Sequence, residues 1–311
     1  MIQDSPAKAE VSIVIDVSHL CYRAYHAHKG GGLDPRGEVI LPLKTRDGRF
    51  SGHIYGSIKM LVSLFRELNT EVCPIFCYDG HGAKAVRQQI LPEYKANRTI
   101  LEIDPVKEVK QYVLDFLPGL HIKRDGFEGD DAVAWAVNLS SKKRKVIVYS
   151  SDKDLWPLMT VVNTSVYSPS KGRTITLDDV FKEFHVKDPK CIYLAKSLFG
   201  DPSDGVKGVE RLFKKQVEPI LGKSCTSEEF YAILDQGKPE SMTENMYKKT
   251  LEARDRIHQN YAVLIPRIDG FCKTDVKQAL KNTFNKTKIV ENLTNYECFS
   301  VLDEVKGLYN E

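Results

Sequence analysis

The sequence predicts an α/β protein: a mainly parallel central sheet flanked by helices over residues 1–188, followed by a mainly helical region over 189–311. Three observations support this. Short runs rich in β-branched and other apolar residues, "VSIVID", "CPIFCYD" and "KVIVYSSD", read as buried strands. Apolar residues at helical spacing separate them, as right-handed crossovers between parallel strands require. Beyond about residue 188 the strand pattern fades while helical spacing continues.

Taken in order, "VSIVID" (11–16) is the first strand, and 29–50, "KGGGLDPRGEVILPLKTRDGRF", is a glycine-rich excursion with hairpin character. In "HIYGSIKMLVSLFREL" (53–68), Ile54, Ile58, Leu61, Val62, Phe65 and Leu68 share one helical face. "CPIFCYD" (73–79) and "KVIVYSSD" (145–152) are the second and third strands, with helices expected over 105–117 and 130–140. "PKCIYLAKSLFG" aligns Cys191, Leu194, Ala195 and Leu198, and the loop "GDPSDGVKG" follows. The next helix, "VERLFKKQVEPIL", is ended or bent by Pro219. Further helices fit 227–236, 241–260, 274–283 and 294–308, and 261–269 reads as extended. The amphipathic tail "NYECFSVLDEVKGLYNE" is expected to dock on the core rather than on a partner.

Composition narrows the class of protein. The mean hydropathy is −0.33, the apolar runs are too short to span a bilayer, and the start lacks the pattern of a signal peptide. Seven cysteines without a CxxC pair imply no disulfide framework, no zinc site and a reducing, cytoplasmic location. A net charge of +3 is weak evidence for nucleic acid by itself. The basic run "SKKRK" (141–145) precedes a strand, so it reads as a solvated loop on the far rim of the sheet.

The acids are more informative. Asp16, Asp79 and Asp152 end the three strands, with Asp154 two residues beyond. Open α/β sheets bind ligands outside the carboxyl ends of their strands. "DGFEGDDAVAWAV" opens a helix from the same rim with Glu128, Asp130 and Asp131. Helix capping explains one or two acids there, but a third repels the others. Seven carboxylates converge, and such a cluster demands cations. Oxygen ligands without nearby His or Cys suit Mg²⁺, with Mn²⁺ as a substitute, and the number of acids suggests two ions. Asp201 and Asp204 in "GDPSDG" fit the second ion, although turn and cap chemistry is the competing explanation of that pair.

In order along the chain, "VIDVSHLCYRAYHA", "FCYDGHGAKAVRQQILPEYKANR", "DGFEGDDAVAWA", "SSDKDLWPLM" and "SLFGDPSDGVKGV" resemble the motifs of the 5′-nuclease family. That family comprises flap endonucleases, the 5′-nuclease domains of bacterial DNA polymerase I and stand-alone phage enzymes often called RNase H. The resemblance covers about 11–215 and is closest in layout to the phage type, whose location would be the host cytoplasm. It implies a PIN/5′-nuclease-like fold and a first metal cluster of Asp16, Asp79, Glu128, Asp130 and Asp131. It assigns Asp152, Asp154, Asp201 and Asp204 to the second. It also implies an arch or gateway at about 80–110, on which Lys95 faces the scissile phosphate, Tyr94 stacks on an unpaired base and Arg98, one helical turn on, holds a neighbouring phosphate. Arg23 matches a basic position facing the cleft.

One departure concerns the duplex clamp. The family continues the last motif as a Gly-rich hairpin whose N–H groups, with a potassium ion, hold the duplex phosphate. Arg211 and Phe213 replace its second and third glycines, and a non-Gly residue resists positive φ. This predicts a modified helix–hairpin–helix, puts the potassium site in doubt, and leaves Lys207, Arg211, Lys214 and Lys215 to hold phosphate through side chains.

The function implied is metal-dependent hydrolysis at 5′ flaps and 5′ ends of DNA and RNA·DNA duplexes, as in primer removal, by a monomer that a replication clamp or single-strand binding protein recruits. A PIN-type ribonuclease shares the acidic core but usually lacks the helical region. A catalytically silent binder of branched DNA is the non-enzymatic alternative. Phosphoacceptor and phosphatase chemistry ranks last, since "IDVSHL" lacks the second Asp of their DxD motif.

Overall fold

The computed structural model describes residues 9–33, 35–68, 72–98, 101–279 and 286–307. The first half runs β1 (Val11–Asp16), α1 (Val17–His28), α2 (Gly52–Leu68), β2 (Val72–Cys77), α3 (Ala83–Gln88), α4 (Pro105–Tyr112), β3 (Gly119–Ile122) and α5 (Gly129–Ser140). Next come β4 (Lys145–Tyr149), β5 (Thr164–Ser168), β6 (Arg173–Thr174), α6 (Leu177–Phe184) and α7 (Ile192–Phe199). The remainder is α8 (Lys214–Leu221), α9 (Ser227–Leu234), α10 (Glu244–Glu252), α11 (Arg254–Leu264), β7 (Val276–Ala279), α12 (Lys286–Asn295) and α13 (Phe299–Gly307).

The strands form one seven-stranded sheet in the order β6-β5-β4-β1-β2-β3-β7. The five central strands are parallel, and β6 and β7 close the edges antiparallel. Every residue of β1 is buried, as the centre of a doubly covered sheet requires. Alternation along the strand sends Val14 to one face and Ile13 and Ile15 to the other. The first face is covered by α5 and by α7 to α11, through Leu194, Leu198, Val217, Phe230 and Ile257, so this core runs across residue 188. The second is covered by α1, α2, α4, α12 and α13, through Leu20, Leu61, Val109, Leu293 and Val301.

The tail docks on the core: Val301 and Val305 are buried, and Glu304 pairs with Lys59 and Arg66 of α2. Some expected elements differ. Instead of a helix over 274–283, a 3₁₀ turn (Lys273–Asp275) leads into β7 where it joins the edge of the sheet, and 280–285 lie outside the described residues. Residues 261–264 complete α11. The 29–50 excursion contains two isolated antiparallel bridges, Leu33–Val39 and Lys44–Phe50. Cys191 and Cys225 form a disulfide, contrary to the inference from cysteine spacing. Their 34-residue separation is closed by the packing of α7 and α8, which no local motif reveals.

Leu293 of α12 is fully buried in the second core, where α12 packs on α4 and α13. Leu293→Ala is expected to lower unfolding stability by about 2–5 kcal/mol, measured by urea denaturation. A loss below 0.5 kcal/mol would mean that the C-terminal helices do not belong to the cooperative core.

Candidate metal centre and substrate cleft

The three central strands point the same way, so their ends share a rim. Asp16 closes β1 and caps α1 without an intervening loop, its Oδ1 accepting from His19 N at 3.0 Å. Its Oδ2 accepts from Ser150 Oγ at 3.0 Å, which ties β1 to the end of β4. Asp152 caps the 3₁₀ segment Lys153–Thr160 by accepting from Asp154 N at 2.9 Å.

The acids fall into two groups of three. Asp16, Asp130 and Asp152 can each direct an oxygen to within 4.8 Å of the others, and Asp154, Asp201 and Asp204 do the same. Burial, followed by the charges of Asp152 and Asp79, pushes Asp16 up to about 7 despite its hydrogen bonds. Asp130 is raised well above the usual carboxylate range by burial and then by Asp152 and Asp16. Burial and Asp152 likewise push Asp154 up to about 7, with Lys196 opposing. Burial also acts to raise Asp201, but Lys196 and the Ser203 donors outweigh it and hold that group below its ordinary value. All-oxygen donors, desolvated and mutually repelling, fit a hard divalent cation.

The three acids of "DGFEGDD" divide their work. Only Asp130 joins a metal-competent group. Asp131 is fully buried: its Oδ2 accepts from Glu128 N at 2.9 Å, and its Oδ1 accepts from Arg87 Nη2 and Arg267 N, both at 2.6 Å. The expectation that Asp131 is a metal ligand is therefore corrected. It caps α5, and Arg87 is its counter-charge. Glu128 receives Lys95 Nζ at 3.0 Å, Tyr94 Oη at 2.9 Å and an ion pair with Arg87 Nε at 3.1 Å. Asp79 accepts from Ser18 Oγ and Gly129 N, both at 2.6 Å, on the wall of a cleft shared with Asp16, Asp130 and Asp152.

Lys95 and Arg98 line the same cleft. Residues 92–97 are consecutive turns, not the helix expected there. Lys95 takes φ +53°, its N donates to Asp204 O at 2.8 Å, and Asn97 Nδ2 donates to Pro202 O at 3.1 Å. This segment is thus stapled to the loop that holds Asp201 and Asp204. Gly205 permits the contact: a Cβ there would lie 2.4 Å from Glu93 O. Arg98 Nη2 binds Asp204 Oδ1 at 2.9 Å. Tyr94 is 2% exposed and packed with Leu91, Tyr193 and Val263, so in this structure it supports Glu128 rather than offering a stacking face.

Arg23 is half-buried and its guanidinium donates to Pro169 O at 3.4 Å, so it does not line the cleft as expected. Lys207, Arg211 and Lys214 line a separate groove with Phe213 and Arg256, whereas Lys215 is exposed outside it. Arg211 adopts φ +61° although it is not glycine, so the hairpin keeps its left-handed turn at that position, against expectation. Lys214 Nζ donates to Glu183 O at 3.0 Å. Sequence reasoning missed Arg87, Lys196 and Arg256. For Lys196 the signal was a charge inside the otherwise apolar "IYLAKSLF".

Comparison with known proteins agrees with this geometry. Residues 11–185 match the family model of the 5′-3′ exonuclease, N-terminal resolvase-like domain. A 5′-3′ exonuclease of Aquifex aeolicus is 32% identical over 218 residues, 68% of each chain. One from Buchnera aphidicola is 23% identical over 292 residues, 88% of this chain and 96% of that one. The thermostable DNA polymerase I of Thermus thermophilus is 25% identical over 230 residues, which is 73% of this chain but 26% of the polymerase. Among solved structures, the T5 D15 protein co-crystallised with metal ions superposes with a TM-score of 0.62 at 17% identity, covering 96% of this chain and 100% of that chain. The catalytic core of Rad2 with DNA substrate gives 0.58 at 14% identity, covering 98% and 94%. These two likenesses concern the fold.

Two expectations follow from the charges. Arg87→Met strands Asp131 and Glu128 without their buried counter-charge and is expected to cost about 3–5 kcal/mol in denaturant unfolding, whereas Asp130→Asn relieves repulsion and raises the melting temperature in EDTA. The raised Asp16 and Asp154 favour the folded state only while protonated. Metal-free stability from these groups is therefore full below pH 4 and is lost as pH rises through about 7. Thermal melts in EDTA at pH 5.5 and 7.5 test this, and excess Mg²⁺ should shrink the difference. A metal-free protein equally stable at both values would contradict it.

Proposed function

The chain belongs to the 5′-3′ exonuclease family, and on that premise we propose a divalent-metal-dependent 5′-nuclease that hydrolyses phosphodiesters at 5′ flaps and 5′ ends of DNA and RNA·DNA duplexes. The observation that carries this proposal is the pair of three-carboxylate groups lining two adjoining clefts that share Asp152 and Arg98. Mg²⁺ is the ion proposed. Asp16, Asp130 and Asp152 would hold one and Asp154, Asp201 and Asp204 the other, with Asp79 and Glu128 adding negative charge beside the first. Bound there, two such ions supply an activated water and neutralise charge on the attacking and leaving oxygens.

The chain's own groups position the substrate. Lys95 and Arg98 hold phosphate oxygens beside the acids; Glu128 and Asp204, which occupy them here, keep both cations in place until a phosphate competes for them. Lys207, Arg211, Lys214 and Lys215 bind the duplex backbone, a contact that weakens as salt rises. The helical region and the Asp201/Asp204 loop favour this over a PIN-type ribonuclease. Removal of RNA primers is the physiological role proposed.

The test is cleavage of a labelled duplex bearing a 5′ flap, beside a 3′-flap control. Cutting at the 5′ junction is expected with Mg²⁺ and is abolished by EDTA or Asp130→Asn, with the 3′ flap spared. Lys95→Ala should reduce turnover on the order of 10²–10³-fold. Binding without cleavage in Mg²⁺ and Mn²⁺ would instead favour a silent binder of branched DNA.

A further inference from the structure

The two acidic groups are not equivalent. Among the described residues, Asp16, Asp130 and Asp152 form no ion pair, and Lys95, beyond ion-pair distance, offsets only part of the repulsion at Asp130. In the second, Lys196 Nζ lies within 4 Å of two members at once: it is bonded to Asp154 Oδ1 and sits 2.5 Å from Asp201 Oδ2. The third member, Asp204, is paired with Arg98 at 2.9 Å. The Lys196 side chain is only 11% exposed and rises from α7, whose neighbours Leu194, Ala195 and Leu198 are fixed in the core. Its ammonium is therefore a built-in part of the site rather than a surface charge that chances on an acid.

An ammonium and a divalent ion compete for the same oxygens. Two ammonium donors point at carboxylates that would otherwise be first ligands, and the positive charge repels an incoming cation across a few ångströms of low-polarity surroundings. We propose that Lys196 is an internal cation that occupies the second acidic group and must be displaced before a metal ion can enter it. The two ions then bind in sequence: the first tightly at Asp16, Asp130 and Asp152, the second weakly at Asp154, Asp201 and Asp204. This rests on the metal-dependent reading above and specifies how its second site is regulated.

The test counts bound Mn²⁺ by electron paramagnetic resonance, without DNA, in wild type, Lys196→Met and Lys196→Arg. Wild type is expected to bind one ion tightly and a second weakly. Lys196→Met should tighten the second by roughly ten-fold or more, while Lys196→Arg, which keeps the charge, should not. Adding Asp201→Asn to Lys196→Met should remove the gain. Thermal melts provide a second readout: Lys196→Met should melt below wild type in EDTA, having lost its counter-charge, and gain more from Mn²⁺. Equal second-site affinities in wild type and Lys196→Met overturn the proposal alone. Absence of Mn²⁺ binding in every variant overturns the metal reading with it.

Discussion

Neutralisation of like charge at the carboxyl rim of a parallel sheet is the constraint on which the rest of this structure depends. Topology forces the ends of β1, β2 and β4 together, and each carries or precedes an aspartate. Burial first, and then repulsion between neighbouring carboxylates, pushes Asp16 and Asp154 up to about 7. The fold answers with cations drawn from distant segments: Arg87 and Lys95 for Asp131 and Glu128, Arg98 for Asp204, and Lys196 for Asp154 and Asp201. The group of Asp16, Asp130 and Asp152 has no ion-pair partner among the described residues, and Lys95 acts on Asp130 from beyond ion-pair distance.

Backbone geometry delivers those cations. Lys95 is presented from a turn, not a helix, and its left-handed φ lets the main chain bond Asp204 while Nζ reaches back to Glu128. The close approach of this segment to 201–205 requires glycine at 205, and the passage of 208 beneath α7 requires it there, where a Cβ would lie 2.4 Å from Leu198 O. The segment that bears Lys95 and Arg98 and the loop of Asp201 and Asp204 are thereby one mechanical unit.

Much of this was legible in the sequence because it follows from local pattern. Apolar runs ending in Asp gave the strands and the rim, and helical spacing gave α2, α5, α7 and α9. What escaped depends on long-range pairing. β3 and β7 are four residues each and carry no period that distinguishes them from loop; they exist because β2 offers an open edge to β3 and β3 in turn to β7. The partition of "DGFEGDD" also escaped, since neighbours in sequence point about 100° apart once α5 forms. Asp131 turns toward Arg87 from α3 and the backbone of Arg267, a meeting of segments 44 and 136 residues away. Tyr94 was misjudged for the same reason: a tyrosine beside a cationic lysine reads as a stacking surface until Tyr193 and Val263 are seen to enclose it.

The hairpin shows how far a motif departure can be absorbed. Replacing glycine by arginine at 211 need not abolish a left-handed residue; it places a strain of order 1–3 kcal/mol there, which the surrounding structure has to over-determine. Here the neighbouring Gly208 keeps the tight approach to α7, and the capping Phe213 starts α8 directly after the turn. The same substitution adds a guanidinium to a groove already lined by Lys207, Lys214 and Arg256. Positive charge is thus gathered on the turn that departs from the motif, where Arg211 stands beside Lys207 and Lys214.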